Sequence, residues 1–219
     1  MRGISVVILL GAPGVGKGTV AQYLKDKYNA YHFSTGNLLR NEVEKGSDIG
    51  NKVEDTLRSG GLVGDEIVNE LVKQNIEKVV SDGSVVVLDG YPRTKNQAIV
   101  LDDMLSGKLK EVIRVIEIDV DKECLVARLS KRRVCIKCGN TFGPQDGVTI
   151  CSCGGKLIKR KDDEESVIRN RLKKYEEDTL PVSRYYADRL VNVSGDGSPV
   201  DVVRRVDVIL HSLGIEKRR

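Results

Sequence analysis

The sequence lacks the features of several classes of protein. No apolar run in its 219 residues approaches the length that crosses a membrane, which argues against a membrane protein. The formal net charge is only +4, so the chain as a whole has little attraction for nucleic acid. Internal repeats and low-complexity tracts are also lacking. An apolar content of 40% and a charged content of 31% instead predict an ordinary soluble globular protein.

Cysteine is scarce and unevenly placed. There are five, an odd number, and four of them lie between Cys135 and Cys153, which argues against a secreted disulfide framework. The apolar segment 4–10 could pass for the core of a signal peptide, but it has no small-residue cleavage site. We therefore expect a reducing, cytoplasmic setting. The fifth cysteine, Cys124, falls within a helical pattern, and we expect it to be a buried core residue.

Apolar, β-branched runs alternate with helical patterns along the chain. These runs predict five strands, at 5–10, 31–34, 85–89, 112–118 and 190–193. Helical patterns lie between them, at 18–28, 35–45, 49–59, 65–78, 95–106, 121–132, 164–178, 182–189 and 200–213. The nearly continuous apolar character of the strands favours a buried parallel sheet. The alternation predicts an α/β protein with a doubly wound parallel sheet of about five strands and right-handed crossovers.

Two segments interrupt this alternation. The segment 34–63 holds two helical patterns with no strand between them, and 131–163 holds a glycine- and cysteine-rich stretch with almost no core-forming pattern. We expect both to be insertions that cover the carboxyl edge of the sheet, where ligands of such folds bind. The core domain is then predicted to consist of 1–33, 64–130 and 164–219.

A glycine-rich run, GAPGVGKGT, extends from Gly11 to Thr19 directly behind the first apolar run. A strand, the pattern G-x-x-x-x-G-K and a helix, in this order, are the context that a phosphate-binding loop requires. Glycines let successive backbone N–H groups turn inward around an anion, and the helix N-terminus adds its positive dipole end. Lys17 would contact the outer phosphates. The run predicts a nucleoside phosphate ligand; the other interpretation is a glycine turn that only joins strand to helix.

Two further strings carry groups suited to phosphates. STGNLLR places Thr35 at a helix start with Arg40 nearby, which suits a monophosphate, although it could also be an N-capped surface helix. LDGYPRT places Asp89 at the carboxyl end of a strand, where its carboxylate could organise Mg²⁺ through water. Arg93 follows on a tight turn and could clamp a phosphate, the alternative being a strand-ending turn with an exposed arginine.

Four arginines lie in or beside the second interruption. Arg128 and Arg132 are four residues apart on one predicted helix, so both can point the same way. Arg160 precedes the acidic run 162–165, and Arg171 follows it on the next predicted helix. Such charges usually form a solvated face, but phosphoryl transfer generates dense negative charge that positioned arginines stabilise. We expect the first two acidic residues of the run, Asp162 and Asp163, to cap a helix and set a hinge.

Together these strings resemble the nucleoside monophosphate kinases, and adenylate kinase above all. The loop G-x-x-G-x-G-K-G-T has a glycine between Lys17 and Thr19, STGNLLR is similar to the family's STGDxLR, and DGYPRT matches its D-G-[FY]-P-R-T. Asn37 stands where the family usually has Asp. The resemblance spans essentially the whole chain. It implies a P-loop kinase fold with a helical AMP-binding insertion and a small cysteine-bearing lid, and transfer of a phosphoryl group from MgATP to AMP to give two ADP.

The resemblance also implies roles for individual residues. It implies that ATP is bound by Gly14, Val15, Gly16, Lys17, Gly18, Thr19, Arg128 and Arg132. It implies that AMP is bound by Thr35, Arg40, Val63, Gly90, Arg93, Gln97, Arg160 and Arg171, with Gln97 reading the base. Catalysis is implied to depend on Lys17, Arg93, Arg132, Arg160 and Arg171. Asp89 would organise Mg²⁺, and the peptide bond before Pro92 would be cis.

The clustered cysteines suggest a metal. Cys135-x-x-Cys138 has a spacing common in structural zinc sites. Cys151-x-Cys153 is one residue shorter than the family's second pair, which would force its sulfurs apart unless the two glycines that follow let the backbone turn sharply. We expect one structural zinc bound by all four cysteines. The alternative is a metal-free lid of reduced thiols.

Two other functions stay open. A kinase of UMP or CMP would share the loop and the DGYPR string, but Thr35 and the long cysteine-bearing lid argue against it, because relatives specialised for pyrimidines tend to carry Ala at that position. A zinc-ribbon protein that binds nucleic acid would use the same cysteines, but it leaves the phosphate loop unexplained. We therefore predict a monomer that binds ATP, AMP and ADP, and neither nucleic acid nor membrane.

Overall fold

The fold is described from a computed structural model of the chain, in which residues 5–79, 85–106, 112–143 and 147–215 are described. The strands of this part of the chain are β1 (Ser5–Leu10), β2 (Tyr31–Ser34), β3 (Val85–Asp89), β4 (Val112–Asp119), β5 (Arg133–Cys135), β6 (Thr141–Phe142), β7 (Leu157–Ile158) and β8 (Leu190–Ser194). Five of them form a parallel sheet in the order β2-β3-β1-β4-β8. This confirms the predicted doubly wound α/β fold.

Helices cover both faces of this sheet. They are α1 (Lys17–Tyr28), α2 (Thr35–Glu44), α3 (Asp48–Ser59), α4 (Asp65–Val79), α5 (Lys95–Leu105), α6 (Lys122–Lys131), α7 (Glu165–Lys174), α8 (Leu180–Tyr185) and α9 (Pro199–Ser212). Successive residues of a strand point to opposite faces, so β1 contributes Val6 and Ile8 to one apolar core and Val7 and Leu9 to the other. Both layers of helix therefore pack on fully apolar surfaces, as a buried parallel sheet requires.

The two predicted insertions have different structures. The acceptor insertion, our name for 34–63, consists of α2 and α3 packed against each other. The lid, our name for 131–163, contains a three-stranded antiparallel sheet in the order β6-β5-β7. The lid therefore has regular structure although its sequence shows almost no core-forming pattern. None of the described helices is long and apolar enough to cross a bilayer.

The helical boundaries differ from the prediction mainly near the end of the chain. The helix predicted at 164–178 leaves α-helical geometry after Lys174 and continues as a wider π-helical turn, Tyr175–Thr179. The next helix begins at Leu180 with Pro181 in its first turn, where the missing N–H costs nothing, and ends at Tyr185 rather than at 189. The predicted core ranges also include residues 1–4, 80–84, 107–111 and 216–219, which lie outside the described residues.

One expectation about the core is wrong. Cys124 lies in α6 as predicted, but its side chain is exposed rather than buried. The helix buries Leu125 and Leu129, which are four residues apart and share one face. A residue directly before Leu125 is rotated about 100° from that face, so it points to solvent.

Candidate active site

The phosphate loop lies at the carboxyl edge of the sheet. It leaves β1 at Leu10 and leads into α1 at Lys17, and Asp89 at the end of β3 pairs with Leu9 in the adjacent strand. Gly11 begins the loop with a backbone φ of 133°, and a Cβ there would come within 2.4 Å of the carbonyl oxygen of Ile118. Only glycine fits at this turn, which brings the loop against the sheet.

Lys17 points into the loop that precedes it. Its Nζ donates to the carbonyl oxygens of Gly11 at 2.6 Å and of Ala12 at 3.0 Å. Burial lowers the pKa of Lys17 to about 8, Asp89 opposes that shift, and nearby arginines such as Arg93 add to it. The ammonium is therefore held beside the anion-binding backbone, and before an anion arrives it loses its proton at a lower pH than an ordinary lysine does.

Asp89 has an ionised carboxylate at the mouth of the loop. Burial works to raise its pKa, but His32 and Lys17 hold the pKa below its ordinary value. Nε2 of His32 lies 3.4 Å from Oδ2 of Asp89. The sequence reading missed His32; its position in β2, two residues before the strand end that faces Asp89, was the available signal.

The acceptor side is organised around one carbonyl group. The oxygen of Gly90 accepts from the hydroxyl of Thr35 at 2.7 Å and from Nε of Arg93 at 2.9 Å. Thr35 and Gln97 are almost fully buried, with 4% and 2% of their surfaces exposed. The peptide bond between Tyr91 and Pro92 is cis, as the resemblance implied. Thr35 and Arg93 are thereby held on one wall of the site.

Arg40 is positioned from its own helix. Oδ1 of Asn37, the residue in place of the family's Asp, accepts from Nη2 of Arg40 at 2.5 Å. Burial, together with Arg160, lowers the pKa of Arg40 to about 9, so the guanidinium is still charged at neutral pH. A neutral amide oxygen therefore orients Arg40 without cancelling its charge.

Asp163 holds two arginines from inside the protein. Its carboxylate is completely buried and accepts from Nε and Nη2 of Arg132, at 2.9 and 2.5 Å, and from Nη1 of Arg171 at 3.2 Å. Such a charge is stable in the interior only when it is paired. The bidentate contact aligns the Arg132 guanidinium at the point where the lid leaves the core.

Asp162 contacts three arginines, one of which, Arg171, it shares with Asp163. It makes a bidentate contact with Arg160 at 2.9 and 2.6 Å, and it lies 3.3 Å from Arg171 and 3.9 Å from Arg40. Burial would raise its pKa, but these arginines hold the pKa far below the ordinary value. The expectation that Asp162 and Asp163 cap a helix is wrong: no side chain caps the start of α7, because both carboxylates bind arginines instead.

These groups line a single cleft of about 1090 Å³. All the residues predicted to contact nucleotides lie on its walls: Gly14, Val15, Gly16, Lys17, Gly18, Thr19, Thr35, Arg40, Val63, Asp89, Gly90, Arg93, Gln97, Arg128, Arg132, Arg160 and Arg171. Nη1 of Arg128 lies 3.5 Å from the carbonyl oxygen of Gly195, at the end where Pro199 and Val202 also form the wall. The cleft is slightly larger than the usual range for a single small-molecule site, as a site for two nucleotides would require.

Comparison with known proteins gives the family. The family model described as adenylate kinase matches residues 9–191. The chain belongs to the adenylate kinase family. The adenylate kinase of Fervidobacterium nodosum is 41% identical over 97% of this chain and 99% of its own length. Those of Pseudothermotoga lettingae and Petrotoga mobilis are 40% and 38% identical, over 93% and 94% of this chain and 97% of each relative.

Membership of this family makes the chain a nucleoside monophosphate kinase, since adenylate kinases catalyse phosphoryl transfer between ATP and AMP. The predicted family, P-loop kinase fold and enzyme class are confirmed. The comparisons do not assign individual residues, so the roles of the cleft side chains stay predictions.

The four lid cysteines come together in the structure. Their Sγ atoms all lie within 4.8 Å of one another, and the pairs Cys135–Cys153 and Cys138–Cys151 are each 3.5 Å apart. Tetrahedral zinc with bonds of about 2.3 Å would separate its sulfurs by about 3.8 Å, so the cluster fits that ion. The C-x-C spacing does not force the second pair away from the first.

A glycine makes this closure possible. A Cβ at Gly155 would lie 2.4 Å from Sγ of Cys135, so a larger residue would push into the cluster. The backbone amide of Lys137 also lies 3.4 Å from the same sulfur and points at it. N–H groups directed at sulfur suit a thiolate that binds a metal.

Proposed function

We propose that this chain transfers the γ-phosphoryl group of MgATP to AMP, giving two ADP, within the single cleft. The observation that carries the proposal is the convergence on that cleft of Lys17 and of arginines from the core, the acceptor insertion and the lid. A site that must stabilise phosphoryl transfer needs such a set of positive charges around one point. Both nucleotide sites come from one chain, so a monomer would suffice.

The donor nucleotide would lie on the phosphate loop. Backbone amides of the loop and Lys17 would bind the phosphates, Thr19 would add a hydroxyl, and Arg128 would cover the base near Gly195. Asp89 would hold Mg²⁺ through water, since its ionised carboxylate ends β3 beside the loop. When bound, that ion neutralises charge on the β- and γ-phosphates.

The acceptor nucleotide would lie between α2 and α5. Arg40 and Arg93 would clamp the monophosphate, and Gln97 would contact the base, with Val63 and Gly90 completing the walls. Asn37 lies at the opening of this pocket. Gly139 of the lid lies so close that a Cβ there would be 3.3 Å from Nδ2 of Asn37. The lid and the acceptor insertion therefore meet over the cleft.

Catalysis would depend on position and charge, with no covalent intermediate and no dedicated general base. Arg132, Arg160 and Arg171 would bind the transferring group, because Asp162 and Asp163 hold their guanidinium groups in place. Closure of the two insertions over the cleft would exclude water, which would otherwise accept the phosphoryl group.

A structural zinc in the lid is part of the proposal. Cys135, Cys138, Cys151 and Cys153 would supply all four ligands, which leaves no open position for chemistry. Bound there, the ion would hold the lid folded. Free cysteines throughout the described chain also suit the reducing, cytoplasmic setting that we propose.

The acceptor is the sharpest test. A coupled assay with AMP, UMP, CMP and GMP should give the highest kcat/KM with AMP, because Thr35 and Gln97 occupy the positions implied to read adenine. Thr35→Ala should loosen the preference for AMP over UMP more than it lowers the best rate. Equal or faster turnover of UMP by the unmodified enzyme would contradict the assignment.

A further inference from the structure

Asp65 at the start of α4 is an acidic residue outside the cleft that the proposed mechanism does not use. It is not among the side chains that line the cleft, and it would not touch either nucleotide. Its carboxylate nevertheless accepts three hydrogen bonds from one short segment of the chain: from Thr94 at 2.9 Å, from Asn96 at 3.0 Å and from Gln97 at 2.7 Å. The last contact links Asp65 to the side chain implied to read the base.

The Gln97 amide is held at both ends. Its Oε1 accepts from the backbone N–H of Arg93 at 2.7 Å, and its Nε2 donates to Oδ1 of Asp65 at 2.7 Å. A backbone N–H can only donate and a carboxylate can only accept. A rotation of the amide by 180° would therefore set two donors together at Arg93 and two acceptors together at Asp65.

The backbone around Gln97 is equally constrained. Its N–H donates to the hydroxyl of Thr94, which in turn donates to Asp65. Its carbonyl accepts from the hydroxyl of Tyr91 at 3.2 Å. With 2% of its surface exposed, Gln97 has no freedom to turn towards solvent. The amide thus keeps one unused lone pair on Oε1 and one unused hydrogen on Nε2, and the positions of these two atoms cannot be exchanged.

That order decides which purine the amide can accept. Adenine has a donor, the amino group, at position 6 and an acceptor at each neighbouring ring nitrogen. Hypoxanthine and guanine have an acceptor oxygen at position 6. On the edge that carries position 6 and N1, a 6-oxo purine has a proton on N1, so its pattern is the reverse of that of adenine. A glutamine that is free to rotate can satisfy either pattern on this edge, whereas a glutamine with one fixed orientation rejects the reversed pattern through unpaired polar groups.

We propose that Asp65 is a positioning residue for base selection, which fixes the orientation of the Gln97 amide so that the acceptor site takes a 6-amino purine and rejects a 6-oxo purine. This inference rests on the proposed acceptor role of Gln97. It assigns an effect on specificity to Asp65, a residue that does not itself line the cleft.

The test compares AMP with inosine monophosphate, which has the same ring size but an oxygen at position 6 and a proton on N1. In Asp65→Asn, the new side chain can offer Gln97 either an oxygen or an NH₂ group, so the restraint on Nε2 is lost while the shape is kept, and only the N–H of Arg93 still opposes rotation of the amide. We expect the ratio of kcat/KM for AMP to that for inosine monophosphate to fall about tenfold. The KM for AMP should rise while kcat at saturating AMP stays within about twofold, because Asp65 touches no reacting group.

Two controls separate this role from a structural one. Glu66→Gln removes an exposed charge from the same first turn of α4 and should leave the ratio unchanged. Asp65→Glu keeps a carboxylate and should restore part of the preference. Thermal unfolding of each variant shows whether a change in the ratio occurs in a folded enzyme.

The outcomes are distinct. A ratio unchanged in Asp65→Asn, while Gln97→Ala changes it, overturns the inference and leaves the proposed function intact. A ratio unchanged in both variants overturns the inference together with the assigned role of Gln97. A tenfold fall in Asp65→Asn, with Glu66→Gln unaffected, supports it.

Discussion

The acceptor insertion and the lid cover the same cleft but are stabilised by different means. The acceptor insertion buries Leu39 and Val53 in the apolar core on one face of the sheet, the face to which β1 contributes Val6 and Ile8. In the lid, Cys135 and Cys151 are buried, whereas Ile150 is 65% exposed. One segment is thus an extension of the core, whereas the other brings four cysteines together.

This difference has a consequence for how each segment can move. The acceptor insertion loses apolar contacts if it shifts, because Leu39 and Val53 belong to the same buried apolar cluster as residues of β1 and α4. The proposed metal on the four cysteines would hold the lid together from inside, so we expect the lid to move as a unit. The arginines at its base are what join it to the site.

Removal of one arginine from the lid and of one from the acceptor insertion should have the largest effects on the kinetics, and the two effects should differ most clearly. Arg132→Ala, at the lid base, should lower kcat about 10³-fold, the usual scale for an arginine that stabilises transferring phosphate. Arg40→Ala, in the acceptor insertion, should mainly raise the KM for AMP. Steady-state kinetics with both substrates varied distinguishes the two patterns.

The neighbouring Arg133 provides the control for this pair. It is exposed and, among the residues that the structure describes, donates only to the carbonyl oxygens of Lys131 and Arg132, so Arg133→Ala should leave kcat nearly unchanged. A larger loss of kcat in Arg40→Ala than in Arg132→Ala would reverse the assigned division of roles.

The second contrast concerns folding stability. Leu39→Ala should lower the free energy of unfolding by about 3 kcal/mol, because it leaves a cavity in the common core. Ile150→Ala, on the exposed face of the lid, should change it by less than about 0.5 kcal/mol. Urea denaturation measures both. Equal losses would mean that the lid shares the apolar core after all.

Removal of the metal should affect only the lid. Protein purified without chelator should contain close to one zinc per chain, and chelation should increase amide hydrogen exchange in β5–β7 while α2 and α3 stay protected. If the metal-free lid is ordered a tenth of the time, kcat/KM for ATP falls about tenfold.

The matched variants for the metal are two cysteine substitutions. Cys151→Ser should lose the zinc, whereas Cys124→Ser, outside the cluster, should keep it. Little metal in the purified protein, together with lid exchange that chelation leaves unchanged, would favour the alternative of reduced thiols.

The smallest effect should come from pH. Lys17 belongs to the core loop, and its pKa of about 8 lies below its ordinary value of 10.5, so it loses its charge as the pH rises through 8. We expect kcat/KM for ATP to fall about threefold between pH 7.5 and 8.5, because the uncharged amine no longer attracts phosphate.

This pH dependence should come mainly from Lys17 of the loop. Arg40 of the acceptor insertion, with its pKa lowered to about 9, stays mostly charged over the same range. With ATP saturating, the bound phosphates hold the proton on Lys17, so the profile for AMP should stay flat there. If kcat/KM for ATP stayed constant up to pH 9.5, the pKa of Lys17 would not be lowered in the enzyme.

The strands and most helices could be predicted because their signals are local. β1 and β3 are uninterrupted apolar runs, and each motif residue sits at the end of such a run or at a helix start. Parallel strands bring those ends to one edge of the sheet, so Lys17 and Asp89 could be expected to meet. Local patterns in this chain therefore carry both the fold and the outline of the site.

Contacts between distant side chains could not be predicted in the same way. Arg132 and Asp163 are 31 positions apart, and nothing in the sequence says that this carboxylate would be completely buried against that arginine. The tie between Asp65 and Gln97 crosses 32 positions. Such pairs depend on how helices pack and on side-chain rotamers, which short patterns do not record.

The carboxylates of Asp162 and Asp163 have one more consequence, for the effect of dissolved salt. A cationic cleft open to water gathers mobile anions, and an incoming nucleotide must compete with them, so its affinity falls as ionic strength rises. In this enzyme the chain provides its own counter-ions, one of them wholly shielded from solvent. Few chloride ions need to leave when ATP arrives. The affinity of the enzyme for nucleotides should therefore vary less with the salt content of the cell than its number of arginines suggests.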